Sequence, residues 1–458
     1  MTIAFDNSYA RLPHAMFARV QPTEVPAPHV LAWNQPLADD LKIDLQDTDK
    51  ARYFSGNALP DGADPIAQVY AGHQFGNWNP RLGDGRAILL GEVLDRSGAR
   101  HDIQLKGAGR TPYSRGGDGR AWLGPVLREY VVSEAMNALG VPTTRALAAV
   151  GTGAPVLREQ GPLPGAVLTR VATSHIRVGT FQYFASVGDT DSLRALLEHT
   201  SARHYPTANS PKDFLAHVVR AQAELVAKWL SLGFIHGVMN TDNAHVGGLT
   251  IDYGPCAFMD AFHPMQVYSS IDHTGRYAYG NQPNIAAWNC AQLATALLPL
   301  EADRDAAVAT FTEVVHGFGP IFEAAYDRIF LRKIGITTPQ DGDMDLLNDL
   351  MKQMALAEAD FTNTFRNLAQ APFPDWQAEW AARIAKEPDP EAVMQAINPA
   401  IIPRNHRIEQ MIDAAVAGDM APFERLHTAL ANPFAQRDDD LTAPPRPEEV
   451  VQATFCGT

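Results

Sequence analysis

The most restrictive feature of this sequence lies near its middle, where two acidic motifs follow one another at short range. A stretch with apolar residues at helical spacing, 211–232, stops at Gly233, and HGVMNTDN then occupies 236–243. A short apolar run at Leu249-Thr250-Ile251 reads as a strand and leads into Asp252-Tyr253-Gly254, about nine residues past Asn243. Asp242 can orient a hydroxyl, while Asn243 and Asp252 add an amide oxygen and a second carboxylate. Hard oxygen donors of this kind suit magnesium when it also keeps waters and phosphate oxygens. The plain alternative is that these Asp and Asn residues cap helices.

Upstream, the aliphatic residues 87–94, the turn chemistry of Asp95-Arg96-Ser97-Gly98 and the alternating segment 102–106 predict a β-hairpin. Ile103 and Leu105 share one face of the second strand, so Lys106 points from the other. A helix is expected between Gly124-Pro125 and Gly140-Val141-Pro142, with Leu127, Val131 and Ala135 on its apolar stripe and Glu129 off it. A strand lysine and a carboxylate on the next helix can pair across a small lobe: the ammonium offers compact charge to phosphates and the carboxylate fixes where it points. The alternative is a surface salt bridge, worth about 0–1 kcal/mol.

Leu82-Gly83-Asp84-Gly85-Arg86 stands just before the first strand of the hairpin. Glycines there let backbone N–H groups approach a phosphate and Arg86 adds a permanent cation, unless the segment is an ordinary turn. The preceding run YAGHQFGNWNPR, 70–81, is too rich in polar and aromatic residues for turn-making alone. Asp118-Gly119-Arg120, and the arginines Arg170 and Arg177 within LTRVATSHIRVG, can aim bidentate donors at phosphates or be simple exposed charge.

Composition narrows the class further. With 37 Lys+Arg against 52 Asp+Glu the formal net charge is −15, which argues against a nucleic-acid wrapper. Hydrophobic residues at 46% and charged residues at 19% predict a large core. The expected organisation is an N-terminal extension over 1–60, a small lobe with the nucleotide loop over 61–165, a lobe with the catalytic and metal loops over 166–335, and a helical region and tail over 336–458. Helical spacing recurs at 285–300, 306–330, 344–368 and 406–417. The most apolar of these, Ile285 to Leu300, is interrupted by Asn289 and Gln292 and falls short of the roughly 20 residues of a membrane span. The N-terminus lacks the basic and apolar regions of a secretory signal, and Cys256, Cys290 and Cys456 are too scattered for a disulfide framework. A cytoplasmic protein free of membrane is the expectation.

The order of lysine, acidic helix, Asp-Asn and Asp-Tyr-Gly follows the logic of protein kinases, whose signature is HRDxxxxN and then DFG. Here no Arg precedes Asp242, Asn243 is directly adjacent, and Tyr253 replaces Phe. Longer strings narrow the likeness: YAGHQFGNWNPRLGDGRA, QLKGAGRTPYSRGGDGRA, LREYVVSEAM, HGVMNTDN, IDYGPCAFMD and NPAIIPRNHRIEQ. On these the chain resembles the selenoprotein O family of kinase-fold protein AMP-transferases over nearly its whole length. The resemblance implies an α+β, protein-kinase-like bilobed fold with an α-rich C-terminal half. It implies ATP bound in reverse, so that AMP, or UMP from UTP, passes to Ser, Thr or Tyr hydroxyls of target proteins and pyrophosphate leaves. Redox-related proteins are among the implied targets.

Carried over by position, the resemblance gives nucleotide contacts to Gly83, Gly85, Arg86, Asp118 and Gly119, and phosphate contacts to Lys106, partnered by Glu129, and to Arg170 and Arg177. Asn243 and Asp252 hold Mg²⁺ or Mn²⁺, Asp252 also serving the ATP site, and Asp242 accepts the proton of the acceptor hydroxyl. Cys456 stands third from the C-terminus, where the family carries selenocysteine or cysteine. Some members join this tail by a disulfide to the segment after the DFG-like motif; Cys256 is the cysteine nearest that motif here, with Ser269 and Ser270 further along. The competing functions are a kinase that transfers the γ-phosphate and an ATP-sensing scaffold without turnover.

Overall fold

Aliphatic side chains alternating with polar ones, closed by an Asp-Arg-Ser-Gly turn, give the hairpin at the centre of the sheet: β6 (Ala87–Leu94) pairs antiparallel with β7 (Arg100–Lys106), Ala87 opposite Lys106. The computed structural model describes residues 3–437 and 439–455 of the 458-residue chain. In chain order the other strands are β1 (Phe17–Arg19), β2 (His29–Trp33), β3 (Ile66–Gln68), β4 (Gly72–Gln74), β5 (Asn77–Asn79), β8 (Ala121–Trp122), β9 (Arg145–Arg158), β10 (Gly161–Ala172), β11 (Phe234–Ile235) and β12 (Ala257–Phe258).

Eight of these strands form one sheet in the order β1-β3-β6-β7-β10-β9-β2, with β8 also pairing to β10. Residues from the first sixty enter this sheet at both edges, β1 against β3 and β2 against β9. Ile103 and Leu105 face an apolar cluster with Leu37, Phe54 and Leu147, while Gln104 and Lys106 point to the opposite face.

That opposite face is covered by α3 (Leu123–Ala138), the helix expected after Gly124-Pro125. Before it in the chain come the short helices α1 (Gln35–Asp40) and α2 (Asp47–Ser55). Beyond the sheet the chain is helical: α4 (Val178–Val187), α5 (Thr190–His204), α6 (Pro211–Ser231), α7 (Gln282–Leu297), α8 (Arg304–His316), α9 (Phe318–Lys333), α10 (Asp343–Leu356), α11 (Phe361–Arg366), α12 (Pro374–Ile384), α13 (Pro390–Ile397), α14 (Asn405–Val416) and α15 (Ala421–Leu430). The architecture is therefore mixed α/β, an antiparallel sheet followed by a helical C-terminal half. No helix among the described residues is long and apolar enough to cross a membrane.

Three local expectations are corrected. Leu249-Thr250-Ile251 is not a strand: only Thr250 makes a bridge, to Thr143, and its amide donates to the Pro142 carbonyl at 2.9 Å. Such a short run has a single partner residue within reach and cannot build a ladder. The helical stretch 306–330 divides at Gly317, and 344–368 divides where Glu358 turns left-handed (φ 48°) and Asp360 caps α11 by accepting from the Asn363 amide at 2.8 Å.

The C-terminal tail returns to the centre of the molecule. Thr454 bridges to Ser269, its amide donates to the Tyr268 carbonyl at 2.7 Å, and its carbonyl accepts from the Ser270 amide at 3.0 Å. Cys456 lies outside the described residues. Cys256 and Cys290 are free, buried thiols, both pushed up to about 12 by burial, which leaves them unreactive.

Candidate active site

The segment 82–86 leads into β6 with two glycines that a neighbouring aromatic requires. Gly83 is left-handed (φ +79°), and a Cβ there would sit 2.4 Å from the Tyr113 ring; a Cβ on Gly85 would lie 2.9 Å from the Tyr113 carbonyl oxygen. The loop backbone is thereby pressed against the segment 107–120 and lines one wall of a cleft of about 400 Å³. Gly83, Gly85, Arg86, Asp118, Gly119, Arg177, Asp242, Asn243 and Asp252 all border this cleft, so most of the residues singled out in the sequence meet at one place. Asp118 sits at its outer rim, held by Arg158 at 2.8 Å and accepting from the Arg120 amide at 2.9 Å.

Lys106, Glu129 and Arg170 stand directly behind Asp252. Lys106 Nζ donates to Glu129 Oε2 at 2.6 Å and also to Asp252 Oδ1. Arg170 donates through Nε to Glu129 Oε1 at 2.8 Å, and its Nη2 reaches Asp252 Oδ1 at 3.3 Å. The lysine side chain is 12% exposed, Glu129 4% and Arg170 3%, so this cluster is interior rather than a surface pair. Burial by itself raises the carboxyl of Glu129, but Arg170 and Lys106 outweigh it and hold Glu129 below its ordinary value. For Asp252 burial is likewise overcome, by Lys106, Arg170 and Arg86, and the carboxyl stays well below the usual range. Asp252 itself is left-handed (φ 69°), a turn that brings its carboxylate back over β7.

The residues of the Thr241-Asp242-Asn243 motif arrive by a different route. β11 ends at Ile235, the His236 ring bonds the Ile251 carbonyl at 2.9 Å, and a single helical turn carries Thr241, Asp242 and Asn243. The hairpin of β4 and β5 lies over this turn: the His73 amide donates to Thr241 Oγ1 at 2.7 Å, the Phe75 amide to Asn240 Oδ1 at 3.1 Å, and Gln74 Nε2 to Asp242 Oδ2 at 3.2 Å. Gly72 makes the approach possible, since a Cβ there would come within 2.5 Å of Asp242 Oδ1. That Oδ1 is buried with no hydrogen-bond partner among the described residues. Burial raises Asp242 to about 6, against the opposing pull of Arg177 and Gln74, which places it where a proton acceptor is useful.

Arg170 and Arg177 are only 2% and 5% exposed, against the expectation that they could be simple surface charge. Arg177 lies 4.5 Å over the Tyr70 ring, and its Nη1 donates to the Asp242 carbonyl at 2.9 Å. Sequence reasoning passed over Tyr70, Gly72, Gln74 and Asp84. The first three lie in the run 70–81, whose excess of polar and aromatic residues was the available signal. Asp84 gave none, because an acidic residue between two glycines reads as a turn.

The donor set of the cleft is consistent with a divalent ion shared with phosphates. Asn243 spends Nδ2 on the Val238 carbonyl at 3.0 Å, leaving its Oδ1 for a cation, and Asp252 keeps Oδ2 clear of the bonds made by Oδ1. No group of three or more His, Cys, Asp or Glu residues among those described could hold a metal alone. An ion that completes its shell with water and phosphate oxygens needs no such group.

Comparison with known proteins adds a family to this geometry. The family model described as protein adenylyltransferase SelO matches residues 1–390. The protein nucleotidyltransferase YdiU of Ruegeria sp. strain TM1040 is 59% identical, with 100% of each chain covered. The protein of the same name from Ruegeria pomeroyi is 60% identical with 100% of each chain covered, and that of a Rhodopseudomonas palustris strain 55% identical with 99% covered. The chain belongs to the SelO family.

Proposed function

We propose that this chain is a metal-dependent protein adenylyltransferase on a protein-kinase-like bilobed fold, residues 61–165 forming the small lobe and 166–335 the catalytic lobe. What carries the reading is the convergence in one cleft of a glycine loop with Asp242, Asn243 and Asp252, the last of these held from behind by the Lys106–Glu129 pair. Family membership supports the choice of AMP over phosphate as the group transferred.

In this reading the backbone of Gly83 and Gly85, with Arg86, Asp118 and Gly119, binds the nucleotide. Lys106, Arg170 and Arg177 neutralise its phosphates, Glu129 holding the lysine and Arg170 in place. Mg²⁺ or Mn²⁺, held by Asn243 and Asp252, would withdraw charge from the phosphate oxygens. ATP lies with its α-phosphorus toward Asp242, the reverse of a kinase. A Ser, Thr or Tyr hydroxyl of the acceptor protein gives its proton to Asp242 as its oxygen bonds to the α-phosphorus, and the α–β bridging bond breaks to release pyrophosphate. Asp242, raised to about 6 by burial and fixed by Gln74, is suited to take that proton in its ionised form. Because these contacts address phosphates, UTP fits the same set. The reading includes a cytoplasmic location.

Mass spectrometry of a general acceptor protein, incubated with the enzyme, ATP and Mg²⁺ or Mn²⁺, tests it. The expected adduct is AMP, abolished by chelation. A phosphate adduct would make the protein a kinase, and tight ATP binding without any adduct would make it a scaffold.

A further inference from the structure

Between the two loop glycines the chain buries a carboxylate for which the nucleotide contacts give no task. The Asp84 side chain is fully enclosed, although Gly83 and Gly85 on either side border the cleft. Its Oδ2 accepts from the Gln68 amide at 3.0 Å and from Gln104 Nε2 at 3.4 Å. Its Oδ1 has no hydrogen-bond partner among the described residues and faces Arg177 Nη2 at 3.7 Å. Gln104 in turn accepts from Arg170 Nη1 at 3.5 Å through Oε1. One buried carboxylate is therefore connected to two guanidinium groups, to Arg177 directly and to Arg170 through an amide.

Burying an anion costs free energy unless a countercharge answers it. The loop itself does not need the charge to hold its path. The Asp84 amide donates to the Gln68 carbonyl at 2.9 Å, and the Asp84 carbonyl accepts from Thr111 Oγ1 at 2.6 Å, so the backbone is pinned at two points without the side chain. What the carboxylate adds is a fixed place for the Arg177 guanidinium, whose other restraints are the Tyr70 ring and one bond to the Asp242 carbonyl, the backbone being held separately by Thr180 and His245.

We propose that Asp84 is a positioning residue that locks the Gly83–Gly85 loop to Arg177, and through Gln104 to Arg170, so that loop backbone and guanidinium groups meet a nucleoside triphosphate as one rigid unit. The proposal rests on the reading above only for the identity of the ligand. Such a lock removes the freedom of the glycine loop to close over phosphates separately from the arginines, and preorganises charge before the nucleotide arrives.

The test is equilibrium binding of Mg·ATP to the full chain and to Asp84→Asn, Arg177→Ala and the double variant, with thermal melting recorded for each. Asp84→Asn is expected to weaken binding about ten- to a hundredfold, the worth of a charge-assisted contact. On the Arg177→Ala background the same change is expected to add no more than about twofold, because the two residues act through one contact. Asp84→Ser, smaller and able to keep the bond from the Gln68 amide, removes the charge with a different packing change and is expected to behave alike. Asp84→Asn binding like the native protein while Arg177→Ala is impaired would overturn the lock and leave the nucleotide site intact. Equal losses with and without Arg177 would overturn it too, marking Asp84 as purely structural. Native-like binding by Arg177→Ala would overturn the nucleotide reading of that arginine and this proposal with it.

Discussion

Two buried arginines, both in contact with carboxylates, behave as opposites. Arg404, in the helical half, is 1% exposed and makes four hydrogen bonds: to Asp260 at 2.6 Å, to Asp360 at 2.8 and 3.1 Å, and to the Thr442 carbonyl at 3.0 Å. Arg177, in the cleft, is 5% exposed and makes one hydrogen bond, its nearest carboxylate oxygen standing off at 3.7 Å. The first has both terminal nitrogens engaged by the protein, only its Nε lacking a partner among the described residues, and ties α11 and α14 to the segment after β12. The second keeps donors unspent at a place where unpaired charge is costly, and so do the acceptors beside it, Asp84 Oδ1 and Asp242 Oδ1. Burial alone thus does not tell the two arginines apart; what separates them is how many of the side-chain hydrogen bonds are already made.

The contrast can be broken at either end. The largest expected effect is that of Asp242→Asn, which should lower AMP transfer by about 10²–10⁴-fold, measured in single turnover, while leaving ATP binding in place. The same variant should melt no lower than the native protein at neutral pH, since it removes a buried charge that the fold leaves partly unanswered. Arg404→Met should do the reverse. Leaving the part-buried Asp260 and Asp360 without their countercharge costs up to about 3–5 kcal/mol in denaturant unfolding, with ATP affinity per folded molecule unchanged.

Gly72→Ala sharpens the comparison without touching a charge. A methyl group 2.5 Å from Asp242 Oδ1 must push the carboxylate aside, and transfer should fall roughly 10–100-fold with little change in melting temperature. The smallest effect is that of pH. Asp242 must be ionised to accept a proton, so with its carboxyl near 6 the transfer rate should drop about tenfold per unit below that pH. The sign for stability is opposite to that of Asp252. Folding raises Asp242, so its ionised form burdens the native state at neutral pH, and the burden is relieved as pH falls from above about 6 towards the ordinary carboxylate range. Asp252 is lowered, so its contribution is present above the ordinary carboxylate range and is lost as pH falls through its depressed value.

The parts of the fold legible in the sequence are those with local causes. Alternation placed Lys106 opposite Ile103 and Leu105, and helical spacing with a Gly-Pro stop located α3 and set Glu129 off its apolar stripe, so the Lys106–Glu129 contact follows from two local patterns. What was not legible depends on long-range closure. Nothing near Asp84 announces that Gln68, Gln104 and Arg177 will surround it, and no local pattern near Thr454 places the tail beside Ser269, a neighbourhood that only the family resemblance at Cys456 implied. Leu249-Thr250-Ile251 misled for the same reason, being apolar like a strand but offered only one bridging residue. Gly72 carries its meaning only once Asp242 stands beside it.

The most direct test of the account is a parallel assay with α-³²P-ATP and γ-³²P-ATP, divalent metal and an acceptor protein, on the native chain, Asp252→Ala and Arg404→Met. The account predicts label on the acceptor from the α-position alone, lost in Asp252→Ala and retained per folded molecule in Arg404→Met. Label from the γ-position, or α-label that persists without the Asp252 carboxylate, would contradict it.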